Sequence, residues 1–308
     1  MTFRTVDDGV VRFQISPESP CPCGTGRAAN ACCLTAQGLR KVATTTAPPE
    51  PTTGHVNTAC YAGALADCSE TLSREHYLSR ALLDHLNQRG GLAARGLPWI
   101  EGEMQLPPDA FAARVLCRRH NSALAGLDDI AVHLFNAFDD SAPTNRGETR
   151  LYFFNGHDLE RWILKLLCGL KSSGNLNAEG DDDRLVPRRW VDVLFGTADF
   201  EGSQGLFVCR EIGHRFAGPH GVQVQAVYRQ NRISGLGVWL CGYEMILALL
   251  GFGQRQFEGR AVVHRPLELY TRGRGLEKSV AFHWVGAADL GTISTTLPEN
   301  DDPGPAAV

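Results

Sequence analysis

CPCGTGRAANACC, residues 21–33, carries four cysteines: two with one residue between them and then, after eight residues, two side by side. Four thiolates brought together suit tetrahedral zinc, and Pro22, Gly24 and Gly26 permit the tight turns that aim Cys21, Cys23, Cys32 and Cys33 inward. A segment this short cannot bury enough apolar surface to fold by itself, so metal has to hold it. The competing reading is four unconnected reduced cysteines, or two redox-active pairs.

Working outward, seven of the ten cysteines lie before residue 120. Cys60 and Cys68 flank a short apolar stretch that reads as a hairpin, and Cys117 and His120 form a C-x-x-H pair further on. One ligand pair on a hairpin and another at a helix start is how a treble-clef zinc knuckle is assembled. Between the pairs runs LSREHYLSRALL, residues 72–83, and Asn121 follows the second pair directly. The order is therefore Cys, Cys, Glu75-His76, Cys, His-Asn. The spacing of Leu78, Leu82, Leu83 and Leu86 predicts a helix over Ser73–Asn87. On that reading Glu75 and His76 could be an ordinary exposed helix turn, and Asn121 a residue satisfying backbone donors at a helix start. Cys168, Cys209 and Cys241 read as small buried hydrophobes.

TTTAPPEPTTG, residues 44–54, has no apolar periodicity and reads as a linker. HDLERWILKLLCGLK, residues 157–171, places Leu159, Trp162, Ile163, Leu166, Leu167 and Leu170 at helical spacing, a buried helix. From 195 to 286, short apolar runs parted by Gly-containing turns predict a mainly antiparallel sheet. The acidic run Asp181–Asp183 precedes it, and the Pro-rich acidic stretch LPENDDPGPAAV, residues 297–308, reads as a disordered tail. The expected organisation is α+β: a small zinc knuckle over 1–40, a Thr/Pro linker over 41–56, a treble-clef domain over 57–138, an α+β domain over 139–296, and the tail.

A hydrophobic fraction of 43% and a charged fraction of 21% exclude collagen-like, coiled-coil and wholly disordered chains. With a net charge of −4, bulk charge gives no support to nucleic-acid binding, so any basic surface has to be local. The N-terminal stretch lacks the pattern of a signal peptide and no run approaches a membrane span, so a cytoplasmic protein is expected. In that reducing compartment cysteine clusters favour metal over disulfides. His133, His157, His214, His220, His264 and His283 show no ligand spacing.

The first cluster resembles the SEC-C motif: Cys21, Pro22, Cys23, Gly24, Gly26, Cys32 and Cys33 match its pattern. The resemblance implies a zinc-binding interaction module that contacts a protein partner. The second constellation resembles the zinc-containing HNH (ββα-metal) endonucleases, where an acidic-residue-plus-His dyad sits between two zinc-ligand pairs. That resemblance implies structural zinc on Cys60, Cys68, Cys117 and His120, with His76 as the general base for phosphodiester hydrolysis. It also implies a catalytic divalent ion, magnesium, on Glu75 and Asn121. Arg114, Arg118 and Arg119 are candidates to clamp phosphate. Nucleic acid, DNA ahead of RNA, is then the substrate. The alternative is a non-catalytic zinc adaptor that binds protein or nucleic acid.

Overall fold

The structure, a computed structural model, describes residues 2–7, 10–88, 93–95, 99–141, 147–176, 184–209, 222–230, 232–250, 262–273, 275–286 and 291–296. Asp181–Asp183, His214, His220 and the expected tail over 297–308 lie outside the described residues. The chain starts with a hairpin of β1 (Thr2–Asp7) and β2 (Val10–Ile15), followed by the cysteine-rich turn and a second, minimal hairpin of β3 (Leu34–Thr35) and β4 (Gly38–Leu39). After an extended segment come β5 (Leu72–His76), α1 (Arg80–Gln88), a small hairpin of β6 (Ala93–Arg95) and β7 (Glu103–Gln105), β8 (Ala112–Cys117) and the long helix α2 (Arg118–Asp139). β5 and β8 pair antiparallel, Leu72 opposite Cys117 and His76 opposite Ala112.

The helix expected from Ser73 begins only at Arg80. Leu82, Leu83 and Leu86 are buried as their spacing requires, and the Leu83 N–H closes the first turn onto the Ser79 carbonyl at 3.0 Å. Upstream of Ser79 the ladder with β8 satisfies the backbone instead, so LSREH is strand. The stretch between Cys60 and Cys68 is likewise not a hairpin but a 3-10 turn, Gly63–Leu65, ending at Ala66 with φ 54°.

The rest of the chain follows as β9 (Arg150–Asn155), α3 (Gly156–Ser172), α4 (Arg188–Leu194), β10 (Gly205–Cys209), β11 (Val222–Arg229), β12 (Arg232–Leu240), β13 (Tyr243–Ala248), β14 (Val262–His264), β15 (Glu268–Gly273), β16 (Leu276–His283) and β17 (Thr292–Thr296). Strands form two larger sheets rather than one. The first, in the order β11-β12-β13-β10-β14, is antiparallel throughout. The second, β17-β15-β16-β9, has an antiparallel centre and parallel outer pairs, because β9 arrives from far upstream and β17 runs alongside β15. β12 and β13 are joined by Cys241 and Gly242, both at positive φ (47° and 89°), the two-residue turn whose twist suits a hairpin.

Helix α3 is the axis of the core. Asn155 caps it, its Oδ1 accepting from the His157 and Asp158 N–H groups at 2.9 and 3.3 Å. Leu159, Trp162, Ile163, Leu166 and Leu167 are essentially inaccessible and pack with α2, α4, β12 and β13 in one apolar cluster. Each such side chain contributes about 1.5–3 kcal/mol by leaving water. At the start of α3 a Cβ on Gly156 would lie 2.3 Å from the Trp284 ring, so only glycine fits there. No helix among the described residues is long and apolar enough to cross a membrane.

Candidate metal centres

The chain brings eight ligand-type side chains into two clusters. Cys21, Cys23, Cys32 and Cys33 place their sulfurs within 4.8 Å of one another, and Cys60, Cys68, Cys117 and His120 do the same with three sulfurs and one ring nitrogen. Among the described residues, the seven cysteines of these two clusters form no disulfide.

The first centre is built by two local turns. The Cys21 N–H donates to the Arg27 carbonyl at 2.8 Å and the Gly24 N–H to the Cys21 carbonyl at 3.2 Å; Gly24 takes φ +80° to close the loop. The 3-10 turn Ala29–Ala31 then delivers Cys32 and Cys33. Sulfur separations of 3.4 Å (Cys23–Cys32) and 3.7 Å (Cys32–Cys33) match the edge of a tetrahedron with Zn–S bonds of about 2.3 Å, which is roughly 3.7 Å. A hydrogen bond from Cys33 pulls the Cys23 thiol down to about 3, and the same contact drives Cys33 up, so the four protons do not leave independently. Cys21, Cys23 and Cys33 are buried against Leu151 and Phe153 of β9 and Ala281 of β16, and the Phe153 N–H donates to the Pro22 carbonyl at 3.0 Å. Cys32 is half-buried, with Thr25 Oγ1 at 3.3 Å and Arg27 Nη2 at 3.5 Å.

The second centre draws on separate parts of the chain: Cys60 before the 3-10 turn, Cys68 before β5, Cys117 at the end of β8, and His120 in the first turn of α2. His120 Nδ1 lies 3.6, 3.7 and 3.2 Å from the sulfurs of Cys60, Cys68 and Cys117. For zinc bonds of about 2.3 Å to sulfur and 2.0–2.1 Å to nitrogen, the expected edge is roughly 3.6 Å. All four side chains are buried, and the Cys117 N–H donates to Cys60 Sγ at 3.3 Å. Burial holds the His120 imidazole down at about 4, so it is neutral at pH 7, the form that ligates metal. Among the described residues its Nε2 has no hydrogen-bond partner, and the ring packs edge-on to Phe195 at 5.0 Å. Both donor sets therefore fit structural zinc.

Arg119, between two ligands, fastens the surroundings. Its Nε meets Asp67 Oδ1 at 3.0 Å and its Nη2 donates to Asp67 Oδ2 at 3.1 Å and to the Pro51 carbonyl at 3.0 Å. Asp67 also accepts from the Thr53 N–H at 2.7 Å, and the Cys68 N–H donates to the His55 carbonyl at 2.9 Å. The other end of this Thr/Pro stretch is tied to the core: the Thr44 N–H and hydroxyl donate to Asp158 at 2.8 and 3.0 Å, and Thr46 is buried. Residues expected as a linker from their composition thus lie against the body as a strap.

Glu75 and His76, neighbours on β5, leave the strand on opposite faces. Glu75 is buried, its Oε1 2.7 Å from Nζ of Lys165 on α3; the same ammonium lies 2.7 and 2.8 Å from the two carboxylate oxygens of Asp128 on α2. Burial works against the Lys165 charge, but the two carboxylates win and hold its pKa up. His76 faces Asp109, 3.8 Å away, which also contacts Arg74 and Arg80. Burial, reinforced by Arg80 and opposed by Asp109, pushes the His76 pKa below its ordinary value. Asn121 is half-buried in the first turn of α2, while Arg114 and Arg118 are exposed. Lys165 and Asp128 are absent from the sequence-based site; the available signal was a lysine, one of only four in the chain, inside an apolar helix.

Comparison with protein-family models, with curated proteins and with solved structures finds no match for this chain. Its class rests on the molecule itself: a mixed α+β protein with two Cys/His centres fit for zinc.

Proposed function

We propose that the chain is a zinc-organised, non-catalytic adaptor: a SEC-C-like knuckle over residues 1–40, a treble-clef unit over 57–138, and an α+β body over 139–296. The observation that carries this reading is the Glu75–Lys165 pair. A carboxylate enclosed with an ammonium, and shared with Asp128, is engaged in the fold and turned from the face that His76 occupies. The exposed Arg114 and Arg118 then serve a nucleic-acid partner, duplex DNA first, and the knuckle serves a protein partner.

A second reading, an HNH-type nuclease, is favoured by one arrangement: β5 ends on His76, β8 ends on Cys117, and the first turn of α2 carries His120 and Asn121. In it His76 is the general base, Asn121 with a released Glu75 holds magnesium, and Arg114 and Arg118 bind phosphate.

Incubating the zinc-loaded protein with magnesium or manganese on plasmid, single-stranded DNA and RNA separates the two. The adaptor reading expects no cleavage, with anisotropy showing duplex binding weakened in Arg118→Ala. Cleavage by the wild type that is lost in His76→Ala, where a general base contributes about 10²- to 10⁴-fold, would give the site to the nuclease.

A further inference from the structure

We propose that the Cys21/Cys23/Cys32/Cys33 centre is a peroxide-sensitive site at which oxidation of Cys32 expels its metal, while the Cys60/Cys68/Cys117/His120 centre is inert under the same conditions. The inference rests on the two-zinc reading of these clusters. All four ligands of the second centre are buried, as are three of the first; Cys32 alone is partly open to solvent. A small oxidant such as hydrogen peroxide therefore reaches one ligand sulfur among eight candidate ligands. Reactivity of a thiolate follows access and local charge together.

The chemistry closes within the cluster. Cys32 thiolate attacks one peroxide oxygen, the O–O bond breaks, and with one proton taken up the products are Cys32 sulfenic acid and water. The Cys23 thiolate, 3.4 Å from Cys32 Sγ, then attacks the sulfenic sulfur; the S–S bond forms and hydroxide leaves, to be protonated by solvent. Two thiolates are oxidised by two electrons and one peroxide is reduced to two waters. Cys23 and Cys32 would then no longer be available to hold zinc, and the two thiols left would bind it too weakly to retain it. Cys33, at 3.7 Å, is the poorer partner, because a disulfide between adjacent residues closes a strained eight-membered ring.

Arg27 sets the rate. Its guanidinium lies 3.5 Å from Cys32 Sγ and is exposed, so it withdraws charge from a sulfur already ionised on zinc and lowers its nucleophilicity. Removing it should accelerate oxidation without removing a ligand.

The experiment uses the full chain. Zinc is first counted; a content near two per chain establishes the starting reading, and a content near one defeats that reading before oxidation is tested. Hydrogen peroxide is then added with a colorimetric zinc chelator present, and peptides are mapped after alkylation under denaturing conditions. The expected result is release of one equivalent, a Cys23–Cys32 disulfide, and Cys60, Cys68 and Cys117 recovered as alkylated thiols. Arg27→Ala, with the same initial zinc content, should release that equivalent about threefold faster. Release of both ions in one phase, a disulfide among Cys60, Cys68 and Cys117, or an Arg27→Ala rate equal to wild type would overturn the proposal.

Discussion

The two centres use nearly the same donors and do different work for the fold. The four-cysteine knuckle takes all its ligands from thirteen consecutive residues and leans on β9 and β16 through Pro22 and a few apolar contacts. The centre of three cysteines and His120 ties a loop, a strand pair and the head of α2 into the main core, with every ligand buried. A local centre stabilises its own loop; a distributed one stabilises the assembly of elements around it. Loss of metal should therefore be felt locally in one case and globally in the other.

The largest expected effect is Cys117→Ser, which opens the distributed centre inside the core. Its melting temperature should fall by about 10 °C or more, or the protein should fail to accumulate folded. Cys23→Ser should remove one zinc with a clearly smaller fall, and equal losses measured by thermal denaturation would erase the contrast between the centres.

Next comes the Glu75–Lys165–Asp128 cluster that joins β5, α3 and α2 beside the second centre. Lys165→Met leaves two carboxylates without their cation, one of them fully enclosed, and should cost about 3–5 kcal/mol in denaturant unfolding. Adding Glu75→Gln should recover much of that loss. If the single variant is as stable as wild type, the cluster is not what holds these elements together.

Acid should act at both centres through their thiols, and at the distributed one through His120 as well. The His120 pKa falls from 6.5 to about 4 on folding, so between those values the unfolded chain binds more protons than the folded one. The stability that the neutral imidazole contributes is fully present above about 6.5 and is lost as pH falls toward 4. Unfolding curves from pH 7.5 to 4 should show this slope, and the histidine-free knuckle contributes none of it through imidazole.

The smallest effect is expected at the strap. Arg119→Ala removes the link to Asp67 and Pro51 while keeping all eight ligands, and should cost about 1–2 kcal/mol. Limited proteolysis should then cut within residues 44–54 sooner than in wild type. An unchanged digestion pattern would mean that Thr44 and Thr53 hold the strap without it.

These contrasts also mark what sequence alone could reveal. Both Cys/His clusters were legible because the C-x-C, Cys-Cys and C-x-x-H pairs announce themselves locally, and α3 was legible because its apolar residues keep one period over about three turns. Strand β5 was hidden: the leucines of α1 follow so closely that one helical pattern can be drawn from Ser73, and only pairing with β8 decides otherwise. The engagement of Glu75 was unreadable because Lys165 lies on another element far along the chain. The same holds for the strap, whose Thr/Pro composition looks like a tether until Asp158, Asp67 and Arg119 are seen to grip it. Over 195–286 the strand pairs are antiparallel as the local patterning predicts; the parallel pairs involve β9 and β17, which lie outside that stretch and find their partners only through long-range pairing.

The central claim, that two separate zinc centres organise this protein, is tested most directly by elemental analysis of protein purified without added metal, for wild type, Cys23→Ser and Cys117→Ser. The account predicts about two zinc ions per wild-type chain and about one in each variant that remains folded. Wild-type protein that is folded and free of zinc, or a single ion lost by both variants alike, would contradict it.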